Sequence, residues 1–192
     1  MPEQVVWKPC LRPAIGEIAL AAEYLDKAVS AHISKQPQLA TELIGRANIP
    51  AIREWAESMW GKSSPYNQHW TVISEPSIVE ETERAKARMP SLALRRDLHE
   101  RDGYHCRFCG IPVVRKEIRK LLLKLYPDVV PWGLTNMSQH AALQVMQANY
   151  DHVVPHSKCG KSDLANLIVT CGPCNYGRMG YTLEHCCPGK NE

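Results

Sequence analysis

Cys106-Arg107-Phe108-Cys109 and Cys171-Gly172-Pro173-Cys174 are two cysteine pairs with the same two-residue spacing. That spacing lets both thiolates of a pair face one metal ion from a tight turn, and two such pairs complete a tetrahedral four-cysteine zinc shell. A closed sulfur shell leaves no open position for a substrate, so the expected zinc is structural. The reactive groups lie between and just after the pairs: Asp151 and His152 are adjacent, and Asn175 directly follows the last cysteine. An imidazole titrates near neutrality and can take up or release a proton. A zinc shell that closes over a carboxylate–imidazole pair has chemistry to position as well as a fold to hold.

The elements that would position these groups are short. Tyr150 to Val154 is strand-like, Pro155 to Asp163 is a polar loop, and Leu167 to Thr170 is a second apolar run. The second cysteine pair then opens a helix through about Met179, giving a ββα unit. Upstream, a short helix over about Ser91 to Arg101 leads into Asp102-Gly103, a turn signal, and the first cysteine pair. Ile111-Pro112-Val113-Val114 follows as a strand-like stretch.

The ordered set of cysteine pair, Asp151-His152, Asn166, cysteine pair and Asn175 closely resembles the HNH endonucleases. So does the lead-in, Arg95-Arg96-Asp97-Leu98 and Arg101-Asp102-Gly103-Tyr104-His105-Cys106. The resemblance covers about residues 90–185. It implies a zinc-stapled enzyme that hydrolyses phosphodiester bonds in DNA, by nicking or double-strand cutting, and the same chemistry would serve RNA. Phosphodiester hydrolysis needs an activated water, and His152 suits the general base. The family pattern carried over makes Asp151 and Asn175 ligands of one divalent cation, Mg²⁺ or Mn²⁺, with waters filling the remaining positions. Asn166 matches the middle letter of the family name; its amide is expected to hold the loop that aims His152, or else to serve only as a turn residue. His156 either contacts phosphate or caps the loop. Arg178 stands where many relatives have lysine, and a phosphate contact survives that exchange. The family's Gly-Gly after Ser157 is Cys159-Gly160 here, a departure that bears on the loop geometry.

The net charge of +3 hides a division: residues 1–83 carry −4, residues 84–124 carry +8 and residues 125–192 carry −1. Charge alone would fit a solvated helix face, but its place beside the cysteine motif favours a phosphate backbone. Arg95, Arg96, Arg115, Lys116, Arg119 and Lys120 are the expected nucleic-acid contacts. Between the first cysteine pair and Asp151, an apolar stripe of Val114, Ile118, Leu121, Leu122 and Leu125 marks a basic amphipathic helix. A weaker helical pattern covers about Ser138 to Ala148.

The first part of the chain reads as three helices. Ile15, Ile18, Ala19, Ala22, Leu25, Val29 and Ile33 form one stripe, halted at Gln36-Pro37; a second follows at Leu39, Leu43, Ile44 and Ala47. A third, at Ile52, Trp55, Ala56, Met59 and Trp60, opens at Pro50 and closes at Gly61. Nothing in this bundle carries ligand spacing or a phosphate-cradling loop.

The expected fold class is therefore α+β: an N-terminal helical bundle (residues 1–75), a linking helix (76–90, helical from about Ser77 to Arg88), and an HNH nuclease domain (91–192) with a helical insertion at about 114–148. Alternatives from other classes are a non-catalytic zinc module that binds nucleic acid, and an effector subunit recruited by a protein partner through its N-terminal helices. The latter is compatible with the nuclease reading and suits bacterial defence or a mobile element. With 44% apolar residues, the composition is that of a globular protein. No apolar run approaches the roughly 20 residues a membrane helix needs. The N-terminus lacks a signal-peptide pattern, and the paired metal spacings fit a reducing cytoplasm. Cys10, Cys159, Cys186 and Cys187 are left over and read as buried or free thiols; His185 beside Cys186 fits no zinc template.

Overall fold

Proline sets where two of the first three helices begin. In the computed structural model, which describes residues 4–5, 10–72, 76–85 and 88–186, α1 (Gly16–Ile33) ends before Pro37 opens α2 (Pro37–Arg46), and Pro50 opens α3 (Pro50–Trp60). A proline at the first helical position lacks an N–H that the helix would leave unpaired anyway. The spans follow the apolar periodicity, but α1 turns a different face inward. It buries Ile18, Ala21, Leu25, Ala28 and Ala31, while Val29 and Ile33 are 45% and 74% exposed. Helices α1 and α2 form the most extensive helix contact among the described residues. Alanines at such a contact allow a close approach of the two axes, so small size outweighed hydrophobicity in choosing the face.

Two distant pairings tie down the N-terminal residues. The strand β1 (Gln4–Val5) runs parallel to β2 (Thr71–Val72). Cys10 is joined to Cys186 in a disulfide that spans 176 residues. The expectation of free or merely buried thiols is thus corrected for this pair: local spacing carries no trace of a partner so far away. Cys159 is a free, exposed thiol, and Cys187 lies outside the described residues.

The helix expected over 77–88 is not formed among the described residues, which exclude 86–87. A single 3-10 turn, Glu81–Glu83, interrupts an extended segment. Its backbone is committed elsewhere. Val79 donates its N–H to the Ser157 carbonyl at 2.8 Å, the Ala85 carbonyl meets His156 Nε2 at 2.8 Å, and the Arg88 carbonyl accepts from Ser162 Oγ at 3.0 Å. A helix would spend such groups on its own ladder. The segment is instead a strap laid along the 155–162 loop.

Ser91 caps α4 (Leu92–Asp102) by accepting the Leu94 N–H at 3.2 Å, and Gly103, at φ 70°, ends it. Two further helices follow, α5 (Lys116–Leu125) and α6 (Ala141–Val145). The latter is shorter than expected because the chain after it pairs back: Val114 donates to the Met146 carbonyl at 2.6 Å and Ala148 to the Val114 carbonyl at 2.9 Å. The strands β3 (Asn149–His152) and β4 (Leu167–Thr170) then pair antiparallel, and α7 (Gly172–Arg178) and α8 (Leu183–Cys186) are the last elements among the described residues. Arg101 and Asp102 tie α4 to β4. Arg101 donates to the Leu167 carbonyl at 2.6 Å, and the Asp102 carboxylate accepts the Val169 N–H at 2.9 Å.

The result is a mixed helix and small-sheet fold, α+β as expected. The larger of two apolar clusters runs through it, with Ile44, Ile52 and Trp55 beside Leu98, Leu143, Val145 and Leu167; the smaller gathers Cys10, Val72, Tyr181 and Cys186. The basic helix α5 joins that core less fully than its stripe implies, since Ile118, Leu121 and Leu125 are 36%, 50% and 44% exposed. No helix among the described residues is long and apolar enough to cross a membrane.

Candidate functional site

The four expected zinc ligands meet. The sulfurs of Cys106, Cys109, Cys171 and Cys174 all lie within 4.8 Å of one another, and Cys109 and Cys171 are 3.7 Å apart. A tetrahedron with Zn–S bonds of about 2.3 Å has edges of about 3.8 Å, so the cluster fits zinc. The first knuckle turns at Gly110, φ 76°, whose N–H donates to the Cys106 carbonyl at 2.9 Å. Arg107 N–H donates to the Val169 carbonyl at 2.9 Å and docks the knuckle on β4. The crowded sulfurs hold Cys106 far below its ordinary value, chiefly through hydrogen bonds from Cys109, Cys171 and Cys174, while Cys171 is pushed up by Cys106 and Cys109. Four thiolates this close need a cation to coexist.

The strand β3 ends on Asp151 and His152, both buried, opposite Ile168 and Leu167 of β4. The loop between the strands is shaped by Asn166. Its Oδ1 accepts the Val154 N–H at 2.8 Å, and its Nδ2 donates to the Val154 and Lys161 carbonyls at 3.0 and 2.8 Å. Cys159 sits in the left-handed region at φ 63°, and a side chain on Gly160 would strike the Val154 carbonyl. The backbone that glycine usually supplies is therefore kept, with cysteine accepting the strained position.

His152 Nε2 lies 2.9 Å from Ser162 Oγ, which gives its own proton to the Arg88 carbonyl. A hydroxyl has one hydrogen, so the shared hydrogen belongs to Nε2 and the lone pair rests on Nδ1. Burial pushes His152 below the ordinary histidine value; Asp151 opposes this, and His156, Arg178 and Arg88 reinforce it. The ring is neutral near pH 7, as a proton acceptor must be.

Asp151 is held by Arg178, whose Nε and Nη2 donate to its two oxygens at 2.7 and 2.6 Å. Arg178 also donates to the His152 carbonyl and, at 2.7 Å, to the Tyr181 carbonyl. At 1% exposure this guanidinium is a tie inside the ββα unit, which corrects the expectation of a phosphate contact.

Residues 138–178 match the family model for HNH endonuclease. Over that segment the chain is similar to the HNH endonucleases. No curated protein and no solved structure matches the chain. The HNH match includes α6 and the second cysteine pair; the first pair lies before it.

A cleft of about 810 Å³ opens over this segment, lined by Asp151, His152 and Asn175 among others. Its donors suit a hard cation: one carboxylate and one amide oxygen, with each Asp151 oxygen retaining a lone pair beyond its Arg178 bond. The same cleft is walled by Arg84 and Arg88 of the strap, Arg95 of α4 and Lys116 of α5. Arg95 also lies over the Tyr150 ring, 5.4 Å from its centroid. Arg96 and Arg115 line a separate, smaller groove, and Lys120 is exposed. Arg119 is the outlier: it is 6% exposed, with its guanidinium 3.7 Å from the Trp132 ring centroid, so it is a packing residue rather than part of a solvent-facing basic patch. His156 lines the cleft and also meets the strap at Ala85.

Sequence reasoning missed Ser162 and the strap arginines. A lone serine in a polar loop carries no signal. Arg84 and Arg88 fall in a segment whose composition predicts a helix that does not form.

Proposed function

We propose that the chain is a metal-dependent HNH endonuclease that hydrolyses phosphodiester bonds in DNA. The observation that carries this reading is the His152–Ser162 bond, which leaves the Nδ1 lone pair of a neutral imidazole beside Asp151 and Asn175 in one cation-walled cleft. His152 takes a proton from a water, and that oxygen attacks phosphorus in line with the departing 3′ oxygen. The P–O3′ bond breaks, the departing oxygen takes a proton from solvent water, and a 3′-hydroxyl and a 5′-phosphate remain. Asp151 and Asn175 would hold Mg²⁺ or Mn²⁺, which supplies Lewis-acid stabilisation of the phosphate and the leaving oxygen when bound. Arg178 fixes the Asp151 carboxylate, Ser162 fixes the His152 ring, and Asn166 fixes the loop that joins them. Arg84, Arg88, Arg95 and Lys116 neutralise flanking phosphates. The four cysteines hold a structural zinc.

The test is incubation of supercoiled plasmid with the full-length protein, with and without Mg²⁺, followed by end-group analysis. Mg²⁺-stimulated nicking or linearisation with 5′-phosphate ends supports the reading. Tight binding with no cut in either condition would leave a nucleic-acid-binding zinc module in its place.

A further inference from the structure

A second cavity, about 520 Å³, adjoins the cleft over His152, and the two share Asn67, Gln147, Asn149 and Tyr176 as common walls. Its size falls in the range of about 300–1,000 Å³ typical of small-ligand sites. Its walls are mainly of two kinds. Trp60, Trp132 and Tyr176 supply aromatic surface, and side-chain amides supply most of the rest.

These walls are held in place. Glu57 Oε1 accepts from both Trp60 Nε1, at 2.9 Å, and Asn136 Nδ2, at 3.3 Å. Trp60 stands edge-on to Tyr176, with centroids 5.9 Å apart, and Trp132 is fixed by the Arg119 guanidinium. The amides present oxygen. Asn67 Nδ2 is spent on the Trp60 and Gly61 carbonyls and Asn149 Nδ2 on the Gln147 carbonyl, so both leave their Oδ1 to accept. Gln144 also lines the cavity and is 8% exposed.

Aromatic surface with several convergent acceptors, one step from a phosphodiester-cutting site, matches one ligand class. We propose that this cavity takes a nucleobase of the DNA strand, unstacked beside the scissile phosphate, and favours bases with an exocyclic amine. Adenine and cytosine offer amino donors on their edges, whereas thymine offers mainly carbonyl acceptors. The aromatic walls stack with any base, so the amide oxygens set the preference. The proposal rests on the endonuclease reading, and it gives the N-terminal helices a role there, since Trp60 and Asn67 come from that part of the chain.

The test uses the full-length protein without added divalent cation and short oligo-thymidine strands that differ at one central position: adenine, thymine or no base. The wild type is expected to bind the adenine strand more tightly than the other two. Trp132→Ala and Asn149→Leu, checked for native circular dichroism, should lose that preference, with a weakening of roughly 5- to 150-fold where base stacking is removed. Trp132→Phe, which keeps a ring, should retain it. Equal affinity of the wild type for all three strands, or an undiminished preference in both folded variants, overturns the pocket. Plasmid cleavage with Mg²⁺ on the same preparations separates the two readings. Base-dependent binding without cleavage keeps the pocket and removes the nuclease; cleavage with base-indifferent binding keeps the nuclease and removes the pocket.

Discussion

Arg178 grips both carboxylate oxygens of Asp151, at 2.7 and 2.6 Å, from a position that is 1% exposed. Breaking a buried ion pair from one side strands the other charge, which typically costs about 3–5 kcal/mol. Arg178→Ala should lower unfolding stability by about that much in urea titration. Arg178→Lys should recover only part of it, because an ammonium cannot reproduce the two-pronged geometry. A surface phosphate contact would instead leave stability within about 0.5 kcal/mol of wild type.

The zinc shell acts through stability rather than chemistry. Cys171→Ser removes one fully buried sulfur of the four. Structural zinc contributes about 10–16 kcal/mol of apparent binding free energy in small zinc-finger peptides. Zinc content and melting temperature should therefore fall together. A variant that keeps both would refute the four-cysteine site.

Two sets of arginines should separate by their readout. Arg84→Ala with Arg88→Ala removes two cations from the cleft wall. DNA binding should weaken, and the log–log salt slope should flatten by about 0.9 for each phosphate that is no longer neutralised. Arg119→Ala should lower the melting temperature and leave the slope in place, since this guanidinium packs on Trp132. Reversal of those two outcomes would restore Arg119 to the binding surface.

His140 makes folding sensitive to acid. The side chain is fully buried; Nε2 donates to the Ile44 carbonyl at 3.0 Å and Nδ1 accepts the Leu143 N–H at 3.4 Å, capping α6. The Nδ1 bond requires the neutral ring. Burial lowers its pKa first; the Ile44 carbonyl opposes this and Arg53 of α3 adds to it. The unfolded chain therefore binds the proton more readily than the folded one, and stability rises with pH. This contribution is complete above the ordinary histidine value of about 6.5 and is lost as pH falls toward the depressed one. His99 and His152 are lowered by burial as well and act in the same direction. His140→Gln should narrow the difference in urea midpoint between about pH 7.5 and about pH 5.5. An unchanged difference would remove His140 as a contributor.

What could be read from the sequence was local. Pro37, Pro50, Ser91 and the paired cysteines act within a few residues, and α2, α3, α4 and the zinc cluster stand where these residues place them. The ββα unit was legible for the same reason, because its strands and helix are contiguous. The inner face of α1 was not, since it depends on how closely α2 approaches. The strap was not either: Val79, Ala85 and Arg88 use their backbone on a loop more than 70 residues away, and side-chain periodicity says nothing about that. Arg178 belongs to the expected chemistry but with a different neighbour, because a terminal arginine on a short helix can face phosphate or turn back on Asp151.

The account's central claim is that His152 is the base. The direct measurement is the single-turnover cleavage rate of plasmid DNA with Mg²⁺ for wild type and His152→Ala, alongside the DNA affinity of each. The account predicts a rate lower by about 10²–10⁴-fold with affinity nearly unchanged. Cleavage by His152→Ala at the wild-type rate would contradict it.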